Sequence, residues 1–129
     1  MHIKDHRIYA PNGVMMIYDT LAWETPEDQD AGWRLKLRNG KTRMWGSKLV
    51  ENVVQFLARQ VKSQAMLRLA RAGLRPVLSS HDELSVLVKD DQYKTQALDF
   101  VVNEMKREVS WLPGLPLDAE GSLSANYAK

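Results

Sequence analysis

The sequence predicts an α+β fold, a small and mostly antiparallel sheet packed by two long helices. Three observations carry this expectation. Residues 1–45 hold short β-branched and aromatic runs punctuated by turn signals, residues 46–73 form an unbroken helical stretch, and residues 74–111 supply a further hairpin and a second helix. With 129 residues, 44% of them hydrophobic, the chain is expected to form a single domain over 1–129.

The balance of charge, +2 with a pI near 8.9, permits a nucleic-acid partner without demanding one. The absence of cysteine excludes a disulfide framework and a thiolate metal site. No apolar run approaches the ~20 residues needed to cross a bilayer, and Met1-His-Ile-Lys-Asp-His lacks the apolar core of a signal peptide. The expected location is therefore cytoplasmic, with no membrane partner. His2 and His6 stand at helical spacing, but an N-terminus expected to be flexible, with fewer than three ligands at hand, makes a poor metal site.

Within 1–45, Arg7-Ile-Tyr-Ala-Pro-Asn-Gly-Val-Met-Met-Ile-Tyr18 reads as a hairpin around Pro-Asn-Gly. The acidic segment 24–30, Glu-Thr-Pro-Glu-Asp-Gln-Asp, is too polar to pack and reads as an exposed loop. Trp33-Arg-Leu-Lys-Leu-Arg38 alternates apolar and basic residues, Asn39-Gly40 signals a type I′ turn, and Lys41-Thr-Arg-Met-Trp45 returns. The alternation places Arg34, Lys36 and Arg38 on one face. That face is either a solvated sheet surface or a contact for a nucleic-acid backbone, where Lys and Arg neutralise phosphates.

From Ser47, the expected N-cap, to Gly73, the expected C′ residue, there is no proline and no other glycine. A helix between these two residues spans roughly 38 Å at the usual rise per residue. Val50, Val53, Val54, Leu57, Val61 and Ala65 recur at helical spacing and define the expected buried side. Opposite them run Lys48, Asn52, Gln55, Arg59 and Lys62. Such a stripe is an ordinary wet face or, since Asn and Gln carry both donors and acceptors, a surface that reads a nucleic-acid groove.

Val77-Leu-Ser-Ser-His-Asp-Glu-Leu-Ser-Val-Leu-Val88, within 74–89, reads as a hairpin with His81, Asp82 and Glu83 at its tip. Alternation along a strand turns Asp82 and Glu83 to opposite sides, so only one carboxylate is expected to aim at a given site. Asp90 and Asp91 provide acidic caps for a helix over 90–111, with Leu98, Val101, Val102, Met105 and Val109 as its apolar stripe and Glu104, Lys106, Arg107 and Glu108 as solvent surface. Pro113 and Pro116 end it, and residues 112–129 are expected to hold a final edge strand, near 115–120, and a tail.

The apolar-His81-Asp82-Glu83-apolar turn resembles motif C of the family A DNA polymerases, phage-type. The stretch Trp45-Gly-Ser-Lys-Leu-Val-Glu-Asn-Val-Val-Gln-Phe-Leu-Ala-Arg59 is similar to the Tyr-Gly-Gly-Lys-Leu-x-Glu-Asn-Val-Val-Gln-Ala-x-Ala-Arg that opens a long helix in the phage branch. Trp111-Leu-Pro-Gly-Leu-Pro-Leu-Asp-Ala-Glu-Gly121 with Asn126-Tyr127 resembles the end of that branch. The resemblance implies a partial polymerase palm and a role in phage or prophage replication. Asp82, with Glu83 as a lesser contributor, would bind Mg²⁺ in a two-metal site completed by a missing Asp. His81 would touch the primer terminus, and Asn52, Gln55 and Arg59, with Lys48 and Lys62 in the same stripe, would line a primer-template DNA.

Two-metal nucleotidyl transfer needs carboxylates from more than one segment. The family's motif A, Asp-Tyr/Phe-Ser-x-Ile/Leu-Glu, and its nucleotide-gripping Arg-x3-Lys-x6-Tyr-Gly helix do not occur here. The expectation is a C-terminal palm segment that is incomplete alone and meets its deoxynucleoside triphosphate only with an upstream polymerase fragment as partner. Two other classes stay open: a non-catalytic nucleic-acid-binding module, and a small Mg²⁺-dependent nuclease using Asp82 with the 24–30 carboxylates. There is no Gly-x4-Gly-Lys-Ser/Thr loop, and Ser79-Ser80-His81 lacks the glycines of a nucleophile elbow.

Overall fold

The computed structural model describes residues 1–127. In chain order the elements are β1 (His2–Lys4), β2 (Arg7–Tyr9), β3 (Met15–Ile17), β4 (Leu21–Glu24), β5 (Gly32–Leu37), β6 (Gly40–Met44), α1 (Gly46–Arg71), β7 (Pro76–Ser80), β8 (Glu83–Val86) and α2 (Lys94–Lys106). The α+β class is as expected. The strands are divided among three small antiparallel sheets, ordered β1-β2-β3, β4-β5-β6 and β7-β8. No helix among the described residues is long and apolar enough to cross a membrane. Two compact units are distinguished, Met1–Leu57 and Ala58–Lys129, with the boundary inside α1.

In the first unit the N-terminus is a strand, where a flexible end was expected. Lys4 pairs with Arg7, so Asp5 and His6 form a two-residue turn, both at positive φ (49° and 58°), the pattern of a type I′ hairpin. Asp and His are among the few non-glycine types that tolerate this region, a signal that the absence of glycine concealed. His2 stacks on Tyr9 with ring centroids 4.6 Å apart, and a strand-turn path replaces the helical spacing of His2 and His6. The β2–β3 hairpin forms around Pro11-Asn12-Gly13 as expected, with Gly13 at φ 84°.

β4 carries only four residues and is defined by its pairing, Leu21 with Leu35 and Trp23 with Trp33. Glu24 therefore ends a strand instead of opening the loop. The β5–β6 turn falls on Arg38-Asn39, because Leu37 pairs with Gly40. Neither turn residue has positive φ, and Gly40 takes it instead (130°), so the expected type I′ turn on Asn39-Gly40 is absent. Alternation sends Leu21, Leu35 and Met44 inward. Ile8, Tyr18 and Met44 form the buried cluster, with Leu49 and Val53 of α1 packed against it.

α1 begins at Gly46, with the Leu49 N–H donating to the Trp45 carbonyl, so Ser47 lies in the first turn and not at the cap. Its C-terminus is a Schellman motif: Leu74 N–H donates to Leu69 O at 2.9 Å, Gly73 N–H to Ala70 O at 3.1 Å, and Gly73 sits at φ 86°. The inward face differs from expectation, since Val50 and Val54 are 62% and 59% exposed. Val53 packs against the buried cluster as expected, and Leu49, one residue before Val50 and so about 100° around the helix, joins it.

In the second unit Ala65, Leu69 and Val109 are buried, Leu69 completely. α2 is shorter than expected and starts at Lys94. Asp91 accepts the Tyr93 N–H at 2.8 Å just before it, and Asp90 pairs with Lys94 at 2.7 Å. Glu104, expected on the solvent side, is instead 15% exposed and pairs with Arg68 of α1 at 2.6 Å. No strand forms over 115–120. Pro113 and Pro116 remove two donors, Lys106 ties Asp118 at 2.8 Å, and a Cβ on Gly121 would stand 2.8 Å from both Leu98 and Val102, so this segment lies on the apolar stripe of α2.

Candidate functional site

In the β7–β8 hairpin Ser80 pairs with Glu83, which leaves His81 and Asp82 as the two residues of the turn. Asp82 therefore projects from the bend itself, and Glu83 opens β8. The alternation argument made for this pair does not govern it, because Asp82 is not in a strand. His81, Asp82 and Glu83 are all exposed.

His81 sits at φ 37°, a left-handed conformation costing roughly 1 kcal/mol for a residue with a Cβ. Something must hold it there, since a lone two-stranded hairpin is marginal in water. Lys62 of α1 does so by donating its Nζ to the His81 carbonyl. A carbonyl at a tight turn has no ladder partner, and an ammonium satisfies it with a charge-assisted bond. No periodicity could reveal this link, because the residues are nineteen apart and belong to different elements.

The C-terminal part of α1 is fixed in turn by Arg68. Its Nε donates to Glu104 Oε2 at 2.6 Å and its Nη2 to the Glu104 carbonyl at 2.6 Å. Arg59 is exposed and, among the described residues, has no side-chain hydrogen bond or ion pair.

The other members of the predicted stripe belong to the first unit. Lys48 donates to Thr42 Oγ1 at 3.1 Å, and its Nζ lies 5.1 Å from the centre of the Trp45 ring. Asn52 donates Nδ2 to the Tyr18 hydroxyl at 3.3 Å. Both are half-buried. The hydroxyls of Thr42 and Tyr18 draw these two polar positions inward, where the sequence offered either a wet face or a surface for nucleic acid. Gln55 is exposed and bonds Glu51 at 3.1 Å along the helix.

Among the described residues no group of three or more His, Cys, Asp or Glu side chains converges as a metal-ligand set. Asp82 and Glu83 are adjacent carboxylates on one bend, and a two-cation site needs ligands from further segments. Glu24 is engaged by Lys41 at 2.7 Å and Arg34 at 3.8 Å, and Asp30 faces Arg43 at 3.7 Å.

Over 90 residues, 70% of its length, the chain is 39% identical to a DNA polymerase of Bacillus phage SP02. The matched part amounts to 13% of that relative, so the chain spans a small portion of its length. No family model matches the chain. No solved structure matches it either.

Proposed function

We propose that the chain is the C-terminal segment of the palm of a family A DNA polymerase, phage-type, with Asp82 as its motif C carboxylate. The observation that carries the reading is the 39% identity over 90 residues to a phage DNA polymerase. An exposed Asp82 on a strained, lysine-held bend supports it, because a ligand presented to another segment must project from its own element.

In this reading Asp82 and Glu83 offer carboxylate oxygens to Mg²⁺, and the remaining ligands come from polypeptide outside the chain. When bound, the metal supplies activation of the attacking oxygen and stabilisation of the leaving group. This chain's own contribution is positional. Lys62 holds the His81 carbonyl, and with it the bend; His81 presents its imidazole beside Asp82 for contact with the primer terminus.

Gln55 and Arg59 are the exposed positions of α1 assigned to primer-template DNA. Lys48, Asn52 and Lys62 reach DNA only by giving up the bonds just described, and their first task here is to hold the helix and the hairpin. Val50 and Val54 leave apolar surface open on α1. We assign that surface to the upstream polymerase polypeptide, the same partner that brings the missing carboxylates and grips the deoxynucleoside triphosphate.

The test is reconstitution. The chain is mixed with the polypeptide that precedes the matched segment in the phage relative, and primer extension is followed with Mg²⁺. Extension is expected from the mixture, none from the chain alone, and a loss of at least about a hundredfold for Asp82→Asn. Extension by the Asp82→Asn mixture at the wild-type rate refutes the assignment of the site.

A further inference from the structure

The geometry points to a second nucleic-acid contact, the outer face of the β4-β5-β6 sheet, which binds a DNA phosphate backbone through Lys36, Lys41 and Arg43. The inference rests on the polymerase reading for the identity of the nucleic acid. The surface itself rests on strand register.

In the β5–β6 ladder Arg34 stands directly opposite Arg43, and Lys36 directly opposite Lys41. Residues two apart in a strand share a face, so all four cations lie together, on the side away from Leu21, Leu35 and Met44. Like charges directly opposed across a ladder destabilise the sheet. The chain offsets this only partly, with Glu24 beside Arg34 and Lys41 and with Asp30 beside Arg43. Lys36 is exposed and, among the described residues, its side chain has no partner. An arrangement that costs stability in the free protein is relieved when a polyanion lies across it.

The four cations have different jobs. Arg34 is only 8% exposed and donates Nη2 to the Asp30 carbonyl at 3.1 Å, so it belongs to the structure of the sheet. Arg43 lies over Gly32, where a Cβ would come within 3.3 Å of its Nε, and it stays half exposed. Lys36 is thus open to a partner, and Lys41 and Arg43, 54% and 49% exposed, join it by exchanging Glu24 and Asp30 for phosphate.

Spacing and chemistry select that partner. Along a strand, side chains on one face repeat at about 6.8 Å, twice the ~3.4 Å per-strand charge spacing of duplex DNA. The exposed aromatic pair Trp23–Trp33 shares the face of Leu21 and Leu35, so base stacking is not offered on the basic side. Contacts are then to phosphates alone and do not depend on base sequence. At one end of the face Glu27, Asp28 and Asp30 line an open cavity with Arg34 and Arg43, and these carboxylates repel a backbone running that way. The footprint is therefore centred on Lys36 and Lys41.

The experiment measures binding of a fluorescent DNA duplex to the full chain by anisotropy between 50 and 200 mM NaCl. The three phosphate contacts of this face contribute about −2.7 to the slope of log affinity against log salt, a loss of roughly fortyfold across that range. Lys36→Gln is expected to weaken binding about eightfold at 0.1 M salt and to reduce the slope by about 0.9; Lys36→Gln with Lys41→Gln doubles both effects on a logarithmic scale. Neither change touches the buried cluster, and thermal melts are expected to show both variants folded, with Lys36→Gln no less stable than the parent.

Lys89→Gln, which removes one exposed cation outside this sheet, is the control and leaves the salt slope unchanged. Wild-type affinity and slope in the folded double variant overturn the proposal. So does a polyglutamate peptide of equal charge that binds as tightly as the duplex, since it would mark the face as a site for an acidic protein. Failure of reconstituted extension with the Lys36 and Lys41 effects intact removes the polymerase reading and leaves the surface standing.

Discussion

Replacing Arg68 with Met is the most informative single change in the second unit. The guanidinium makes two bonds of 2.6 Å, one to the Glu104 carboxylate and one to its carbonyl, and the two side chains are only 21% and 15% exposed. Removing one member of a fully buried pair costs 3–5 kcal/mol, roughly, because the other charge is left unpaired. Two features reduce that figure here: water reaches part of the pair, and Arg107 Nη1 lies 3.4 Å from the other Glu104 oxygen. A loss of about 2–3 kcal/mol follows.

In a unit of this size each kcal/mol moves the midpoint by about 4–8 °C, so Arg68→Met should melt about 10–20 °C lower by circular dichroism. The double variant Arg68→Met, Glu104→Met removes both charges and leaves apolar side chains between α1 and α2. It is expected to recover most of the loss, giving a coupling energy of at least about 1 kcal/mol. A single variant that melts within about 2 °C of the parent, or a double variant no better than the single, refutes the claim that this pair fixes the C-terminal part of α1.

Gly73→Ala places a Cβ at φ 86°, and chemical denaturation should show about 1 kcal/mol of lost stability; no change would mean that the Schellman turn is not what ends α1. Gly121→Ala drives a Cβ to 2.8 Å from Leu98 and Val102, for an expected cost of about 1 kcal/mol and faster amide exchange in α2, whereas unchanged exchange argues that residues near 121 do not lie on that stripe. Tyr18→Phe removes the acceptor of Asn52 and should cost about 1 kcal/mol in urea titration, with Asn52→Ala adding little on top; full additivity would show that the 3.3 Å bond contributes nothing. Asp90 has its pKa held below the ordinary carboxylate value by the hydrogen bond and charge of Lys94. Its support of the α2 start is thus complete above the unfolded value of about 3.9 and is lost as pH falls through the lower folded value. Amide exchange at 94–98 should accelerate over that window less steeply in Asp90→Asn and in high salt, and identical profiles would remove the pair from the account.

Much of the architecture was legible because it is written in local pattern. The 46–73 helix, the Pro-Asn-Gly and HDE hairpins and the stripe of α2 are each set by periodicity or by punctuation within a few residues. The misread elements share a cause. β1 is closed by Asp5-His6 instead of glycine, β4 is four residues made into a strand by its neighbour, and residues 115–120 lie on α2 where an edge strand was expected. Each depends on a partner distant in the chain or on a conformation that several residue types tolerate.

The candidate site divides in the same way. That Asp82 stands at a bend between two apolar runs follows from composition and turn chemistry alone, as does the presence of a cationic and amide-bearing stripe on α1. Which members of the stripe are free was decided by tertiary contacts: Tyr18 and Thr42 claim Asn52 and Lys48, His81 claims Lys62, and Gln55 and Arg59 are left exposed. The physical reason is that a helical repeat specifies the direction of a side chain but not the hydrogen-bonding groups it meets. Those arrive on other strands and helices, and only the folded chain brings them within bonding distance.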